Sequence, residues 1–174
     1  MKNAVIITAQ GFQDEEVIYP YYRLLEAGFK TDIATKDGQT VIGKYGVPAR
    51  ATIATTALKA ENYDMVLVPG GFEAPDRVRI LPEVLTFLQE MDKAKKLIAA
   101  ICHGPWVLIS AGITKGRKMT AYWSIEADMR NSGADYQHKE PLVIDGNFIT
   151  SPHYNDNPVF MKAVVEYFEK QSNR

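Results

Sequence analysis

The stretch LIAAICHGPWVLISAG, residues 97–112, joins an apolar run to a helix-forming segment through one tight turn. Five apolar residues without polar alternation, Leu97 to Ile101, read as a strand covered on both faces, as in a parallel sheet. Residues 104–111 are predicted as a helix, closed by Gly112 where a C-terminal cap belongs. Strand, turn and helix in immediate succession are the unit of an open α/β sheet, and the rest of the chain repeats it.

AVIIT at residues 4–8 is an apolar strand, and residues 15–27 follow as a helix with Val17, Ile18, Tyr21, Leu24 and Leu25 at helical spacing and Gly28 as its stop. Pro20 lacks an N–H for the Glu16 carbonyl, so this helix is expected to bend there. Phe29–Thr35 is a second strand, and Asp37-Gly38 opens a β-hairpin excursion containing Gly43, Gly46 and Pro48. MVLVP at residues 65–69 ends in Gly70-Gly71 and is followed by a helix at residues 82–93, with Val84, Leu85, Leu88 and Met91 on one face. Residues 125–131 form a short helix. LVID and FITS flank Asp145-Gly146 as a hairpin, and Pro158 starts a final amphipathic helix. The predicted fold is therefore α/β, with helices on both faces of the sheet.

At 174 residues the chain has the length of one domain, about 100–200 residues, and a single domain over 1–174 is expected. Twenty Lys+Arg against 21 Asp+Glu leave a formal charge of -1 without long blocks, so nothing favours nucleic acid or an anionic membrane as partner. The apolar runs are far shorter than the roughly 18 residues of a membrane span. Met1-Lys2-Asn3 leads straight into a strand, and there is one Cys, so a cytoplasmic, reducing location is expected.

In such a sheet ligands bind outside the carboxyl ends of the strands. Residues 8–13, 69–76 and 101–105 therefore define the candidate site. Cys102 sits between strand and helix, where free N–H groups and the helix dipole favour a thiolate, so a thiol pKa below the usual value is expected. A lone Cys is more often a small core hydrophobe, but one flanked by His103 and Gly104 at the ligand edge reads as a nucleophile. His103 either reaches back to the sulfur or points away to an acid of its own. Asp14 and Glu15 read as dipole-compensating charge at a helix start. Glu16 is set apart by Pro20 and, if held beside the thiolate and desolvated, would be protonated and donate to sulfur. Gly70 and Gly71 form either an oxyanion-type nest or a plain loop. His138 reads as surface, and His153 lies near the site without an evident partner. One Cys and three His without paired spacing give no metal site, and no phosphate-binding glycine motif is present, so neither metal nor cofactor is expected.

AICHGP at residues 100–105, VLVPGG at 66–71, FQDEEVIYPYYRLLEAG at 12–28, SAGITKGRKMTAY at 110–122 and VIDGNFITS at 143–151 together resemble the PfpI branch of the ThiJ/PfpI superfamily, over nearly the whole chain. The resemblance implies a flavodoxin-like three-layer sandwich, Cys102 as the elbow nucleophile, Glu16 hydrogen-bonded to its sulfur, His103 as the neighbouring catalytic histidine, and Tyr122 lining the pocket. It also implies an acid from an adjacent subunit, after an Ala-Pro pair; here Asp76 follows Ala74-Pro75, while Glu73 precedes them. The chain departs from relatives at Gln13, where several carry Glu, and at Pro152, where many carry an anion-binding Arg.

Three activities follow as expectations. The first is a cysteine-dependent stress-response enzyme of glyoxalase III or deglycase type, acting on a small reactive dicarbonyl or glycated adduct. The second is a PfpI-type intracellular cysteine peptidase, with Gly70 and Gly71 as oxyanion hole. The third is a non-enzymatic redox-sensing or holdase protein. A homodimer or higher homo-oligomer is expected because the resemblance joins His103 and Asp76 only across subunits.

Overall fold

The computed structural model describes residues 1–172. In chain order it contains β1 (Lys2–Ile7), α1 (Asp14–Glu26), β2 (Phe29–Thr35), β3 (Val41–Ile42), β4 (Pro48–Ala49), β5 (Ile53–Ala54) and β6 (Met65–Val68). These are followed by α2 (Glu73–Val78), α3 (Pro82–Lys93), β7 (Leu97–Ile101), α4 (Pro105–Ser110), β8 (Lys118–Met119) and α5 (Glu126–Asn131). The chain then forms β9 (Asp135–Tyr136), β10 (Val143–Asp145), β11 (Phe148–Ser151) and α6 (Asn157–Ser172). The main sheet has the order β10-β11-β7-β6-β1-β2-β5, and every pairing is parallel except the β10–β11 hairpin.

The apolar strands have no polar face because both faces are covered. Alternate residues Val5, Ile7, Val66, Val68, Ile98 and Ala100 pack with Val84, Leu88 and Met91 of α3 and Val107 and Leu108 of α4. Their neighbours Ala4, Ile6, Met65, Leu67, Leu97, Ala99 and Ile101 pack with Val17 and Leu24 of α1 and Phe160 and Val164 of α6. The strand period of two thus sends one sequence into two cores, and the result is the expected three-layer flavodoxin-like sandwich.

Gly28 takes φ +83 and donates to Leu25 O, ending α1 as expected. The excursion after Asp37 pairs β3 with β4 antiparallel. α1 begins one residue earlier than predicted and runs helically through Pro20. No helix among the described residues is long and apolar enough to cross a membrane.

β6 and β7 end side by side, and the chain leaving β7 passes hard against β6. A Cβ on Gly104 would lie 2.2 Å from Val68 O, so only glycine allows this approach. Gly104→Ala is predicted to cost about 3 kcal/mol and lower Tm by about 6–12 °C. An unchanged melting curve would show that the turn has room the structure does not give it.

Candidate active site

Cys102 follows the last residue of β7 and holds φ +61, a left-handed conformation that is costly for a residue with a Cβ. Two hydrogen bonds fix it there: its N–H donates to Ser151 O at 3.0 Å, and its carbonyl accepts from Tyr122 N–H at 2.9 Å. The elbow turns the sulfur off the sheet into a site it reaches with only 7% of the residue exposed. The N–H groups of Gly71 and His103 face that sulfur, while the Gly70 N–H is spent on Glu16.

Glu16, on the first turn of α1, is fully buried at the same point. Gly70 N–H donates to its Oε2 at 2.6 Å, and the carboxyl shares a side-chain hydrogen bond with Cys102. A Cβ on Gly70 would sit 2.6 Å from both Cys102 Cβ and Glu16 Oε2. Gly70 is therefore the spacer that lets acid and thiol meet. Oε1 of Glu16 is buried without an oxygen or nitrogen partner. Burial raises the Glu16 pKa from 4.5 to about 8, against the pull of the Gly70 N–H, so the acid carries its proton at neutral pH.

Burial also pushes the Cys102 thiol up, and a charged Glu16 would push it further. This corrects the expectation of a thiol depressed by the helix start: α4 begins only at Pro105, and the sulfur is desolvated. Well below about 8 the Glu16 charge is lost. What then opposes burial is the acid's own proton together with the Gly71 and His103 N–H groups. Acid and thiol titrate as a coupled pair in which one negative charge excludes a second.

His103 reaches back to the sulfur, with Nδ1 3.2 Å from Sγ, while Nε2 lies 3.2 Å from Ser124 Oγ. The Ser124 hydroxyl can donate or accept, so it accommodates either imidazole tautomer. Burial, aided by the charge of Lys44, lowers the His103 pKa to about 4 and keeps the ring neutral. Tyr122 stacks on His103 at 5.0 Å between centroids, and Trp106 packs edge-on to its other side.

Asp76 is exposed on α2 and makes no hydrogen bond or ion pair among the described residues. Glu73 is engaged by Arg77 at 2.7 Å. Within one chain, then, Cys102, His103, Glu16, Gly70, Gly71 and Tyr122 are brought together and Asp76 is not. The pocket over the sulfur has a volume of about 440 Å³, and its wall includes Gln13, Lys44, Phe72, Ser124, His153 and Tyr154. Lys44 and Ser124 carry no motif and escape sequence reading; the one cue for Ser124 is its place two residues beyond Tyr122. His153 has a partner after all, since its Nδ1 accepts from Asn155 N–H.

Replacing Glu16 separates a proton donor from a bare charge. In Glu16→Gln a donor still faces the sulfur, and the pH midpoint of iodoacetamide alkylation should stay within a few tenths of a unit; Glu16→Leu should raise it by about one unit. A fall in both variants would mean an ionised Glu16. Because the fold favours the protonated acid, its stabilising effect is full below 4.5 and is lost as pH rises through about 8. Glu16→Gln should therefore gain stability over the unsubstituted protein across that window, and identical denaturation midpoints throughout would contradict the burial of an acid.

Comparison with known proteins agrees with this fold. The DJ-1/PfpI family model matches residues 2–167. The deglycase PfpI of Pyrococcus furiosus is 37% identical over 162 residues, covering 93% of this chain and 96% of that protein. General stress protein 18 of Bacillus subtilis is 37% identical over 172 residues, covering 97% and 98%. A crystal structure of a two-domain Anabaena variabilis protein, with a DJ-1/ThiJ/PfpI-like and a ferritin-like domain, superposes with a TM-score of 0.94 at 37% identity; the match covers 97% of this chain and 48% of that one. With the family model spanning nearly all of the sequence and relatives this similar along their full length, the chain belongs to the DJ-1/PfpI family.

Proposed function

We propose that the protein is a cysteine-dependent enzyme acting on reactive dicarbonyls or their glycated adducts, of glyoxalase III or deglycase type. The observation that carries this reading is a fully buried acid, its pKa raised by burial to about 8, hydrogen-bonded to the one thiol of the chain. The deglycase name of the P. furiosus relative supports it.

With a 2-oxoaldehyde, Cys102 passes its thiol proton to Nδ1 of His103, 3.2 Å away, and Sγ bonds to the aldehyde carbon, while the carbonyl electron pair moves to oxygen beneath the Gly71 and His103 N–H groups. Glu16 gives its proton to that oxygen and becomes a carboxylate. As such it removes the hydrogen on the same carbon as a proton and returns it to the neighbouring carbon, while the hydroxyl proton of the first carbon passes to the oxygen of the second, converting the hemithioacetal into a 2-hydroxythioester. Water then cleaves the C–S bond, releasing a 2-hydroxy acid and the thiol, and the proton held by His103 returns to Glu16. Methylglyoxal plus water gives lactate, with no electrons left over. A glycated amine would enter as a hemiaminal and leave as the free amine. A pocket of about 440 Å³ suits such small groups better than the extended polypeptide that the peptidase reading requires.

Asp76 enters as a residue of a neighbouring copy, where it would orient His103 from the Ser124 side. The fold offers exposed apolar side chains around α2, Phe72 at 60% and Ile80 at 74%, for a second copy to cover.

Purified protein should turn over methylglyoxal without added thiol, and Cys102→Ala should lose at least about 10³-fold in kcat/KM, as removal of a covalent nucleophile does. Cleavage of fluorogenic peptides without methylglyoxal turnover would overturn the reading in favour of the peptidase. Aggregation suppression by Cys102→Ala, with neither substrate consumed, would favour the non-enzymatic alternative. Asp76 has its own test: mixing Cys102→Ala with Asp76→Asn should restore activity through mixed oligomers, and a monomer by light scattering would remove the shared site.

A further inference from the structure

The wall of the pocket carries one charge without an ion-pair partner among the described residues. Lys44 sits on the turn between β3 and β4, and that turn is clamped rather than loose. Asp14, buried on α1, accepts Tyr45 N–H and Val47 N–H at 2.9 Å with its two carboxylate oxygens. Lys44 N–H donates to Phe12 O at 2.8 Å. A Cβ on Gly43 would lie 2.5 Å from the Asp14 carboxyl, so the close fit needs glycine there. The helix turn that delivers Glu16 to the sulfur thus also fixes the backbone from which Lys44 enters the pocket.

The acids around it are taken. Asp14 holds the turn, Glu73 pairs with Arg77, Glu15 accepts from Gln13, and Glu16 is neutral. Lys44 makes no ion pair among the described residues; its ammonium lies 5.4 Å from the centroid of Tyr45 and 5.8 Å from that of Phe72. Elsewhere in the pocket His153 spends Nδ1 on Asn155, and His103 is neutral. An unpaired cation in the same pocket as a thiol is a receptor for a negative charge on the molecule that the thiol attacks.

We propose that Lys44 determines specificity by binding an anionic group at the far end of the substrate, so that acidic 2-oxoaldehydes are preferred over neutral ones. This rests on the dicarbonyl reading above. For 4,5-dioxovalerate the steps are those already given: the thiol adds to the aldehyde, hydrogen moves from that carbon to the next, and water releases 2-hydroxyglutarate. The distal carboxylate takes no part in the chemistry and is held by Lys44 throughout.

Iodoacetate and iodoacetamide test the charge without relying on turnover, since both transfer a two-carbon group to Cys102 with loss of iodide and differ mainly in charge. Their rate ratio cancels changes in thiol reactivity. Lys44→Met should lower the iodoacetate-to-iodoacetamide ratio about three- to tenfold, Lys44→Arg should preserve it, and added salt should compress the difference. The kcat/KM ratio of 4,5-dioxovalerate to methylglyoxal should fall in Lys44→Met by a similar factor. An alkylation ratio unchanged in Lys44→Met overturns the proposal. A falling ratio with neither carbonyl turned over overturns the substrate class and the dicarbonyl reading while leaving Lys44 as an anion-binding residue.

Discussion

One backbone conformation governs the site: Cys102 in the left-handed region at φ +61. A residue with a side chain stays there only if its surroundings outweigh the cost, here through hydrogen bonds from β11 and from the segment entering Tyr122. The parallel sheet supplies the first of these, because β11 lies beside β7 in register to its last residue. Gly104 supplies the space by which the chain turns past Val68. Remove the elbow and the sulfur would project from a face of the sheet instead of toward the N–H groups of Gly71 and His103.

Everything else at the site answers a problem of proton and charge. A buried carboxylic acid and a buried thiol close together cannot both ionise, so the pair keeps a proton in play between them. Burial of Glu16 costs stability above its ordinary titration range, a strain set aside for function. His103, kept neutral by burial, can exchange a proton without adding permanent charge beside the sulfur. Lys44 is exposed on the pocket wall, where its charge meets the incoming molecule.

The layers were legible in sequence because buried parallel strands are apolar on both faces: AVII, MVLV and LIAAI could hardly be read otherwise. Glycine stops placed the ends of α1 and α4 within about one residue. The first turn of α1 was harder. Three acids in a row look alike, yet Asp14 clamps a turn 31 positions away, Glu15 is exposed, and Glu16 is buried against Gly70. Such long-range partners leave no periodic signal, and only the resemblance connected Glu16 to Cys102. Lys44 and Ser124 were unreadable for the same reason. The low thiol pKa expected from the helix start failed because local position says nothing about burial.

The central claim is that Glu16 is a neutral acid hydrogen-bonded to the Cys102 sulfur. Infrared difference spectroscopy of the protein against Glu16→Gln, with carboxyl-labelled glutamate, observes that proton directly. At neutral pH the account predicts a protonated-carboxyl band that shifts when Cys102 is alkylated and fades as pH rises through about 8. A spectrum showing only carboxylate bands for Glu16 at neutral pH, unmoved by alkylation, would contradict it.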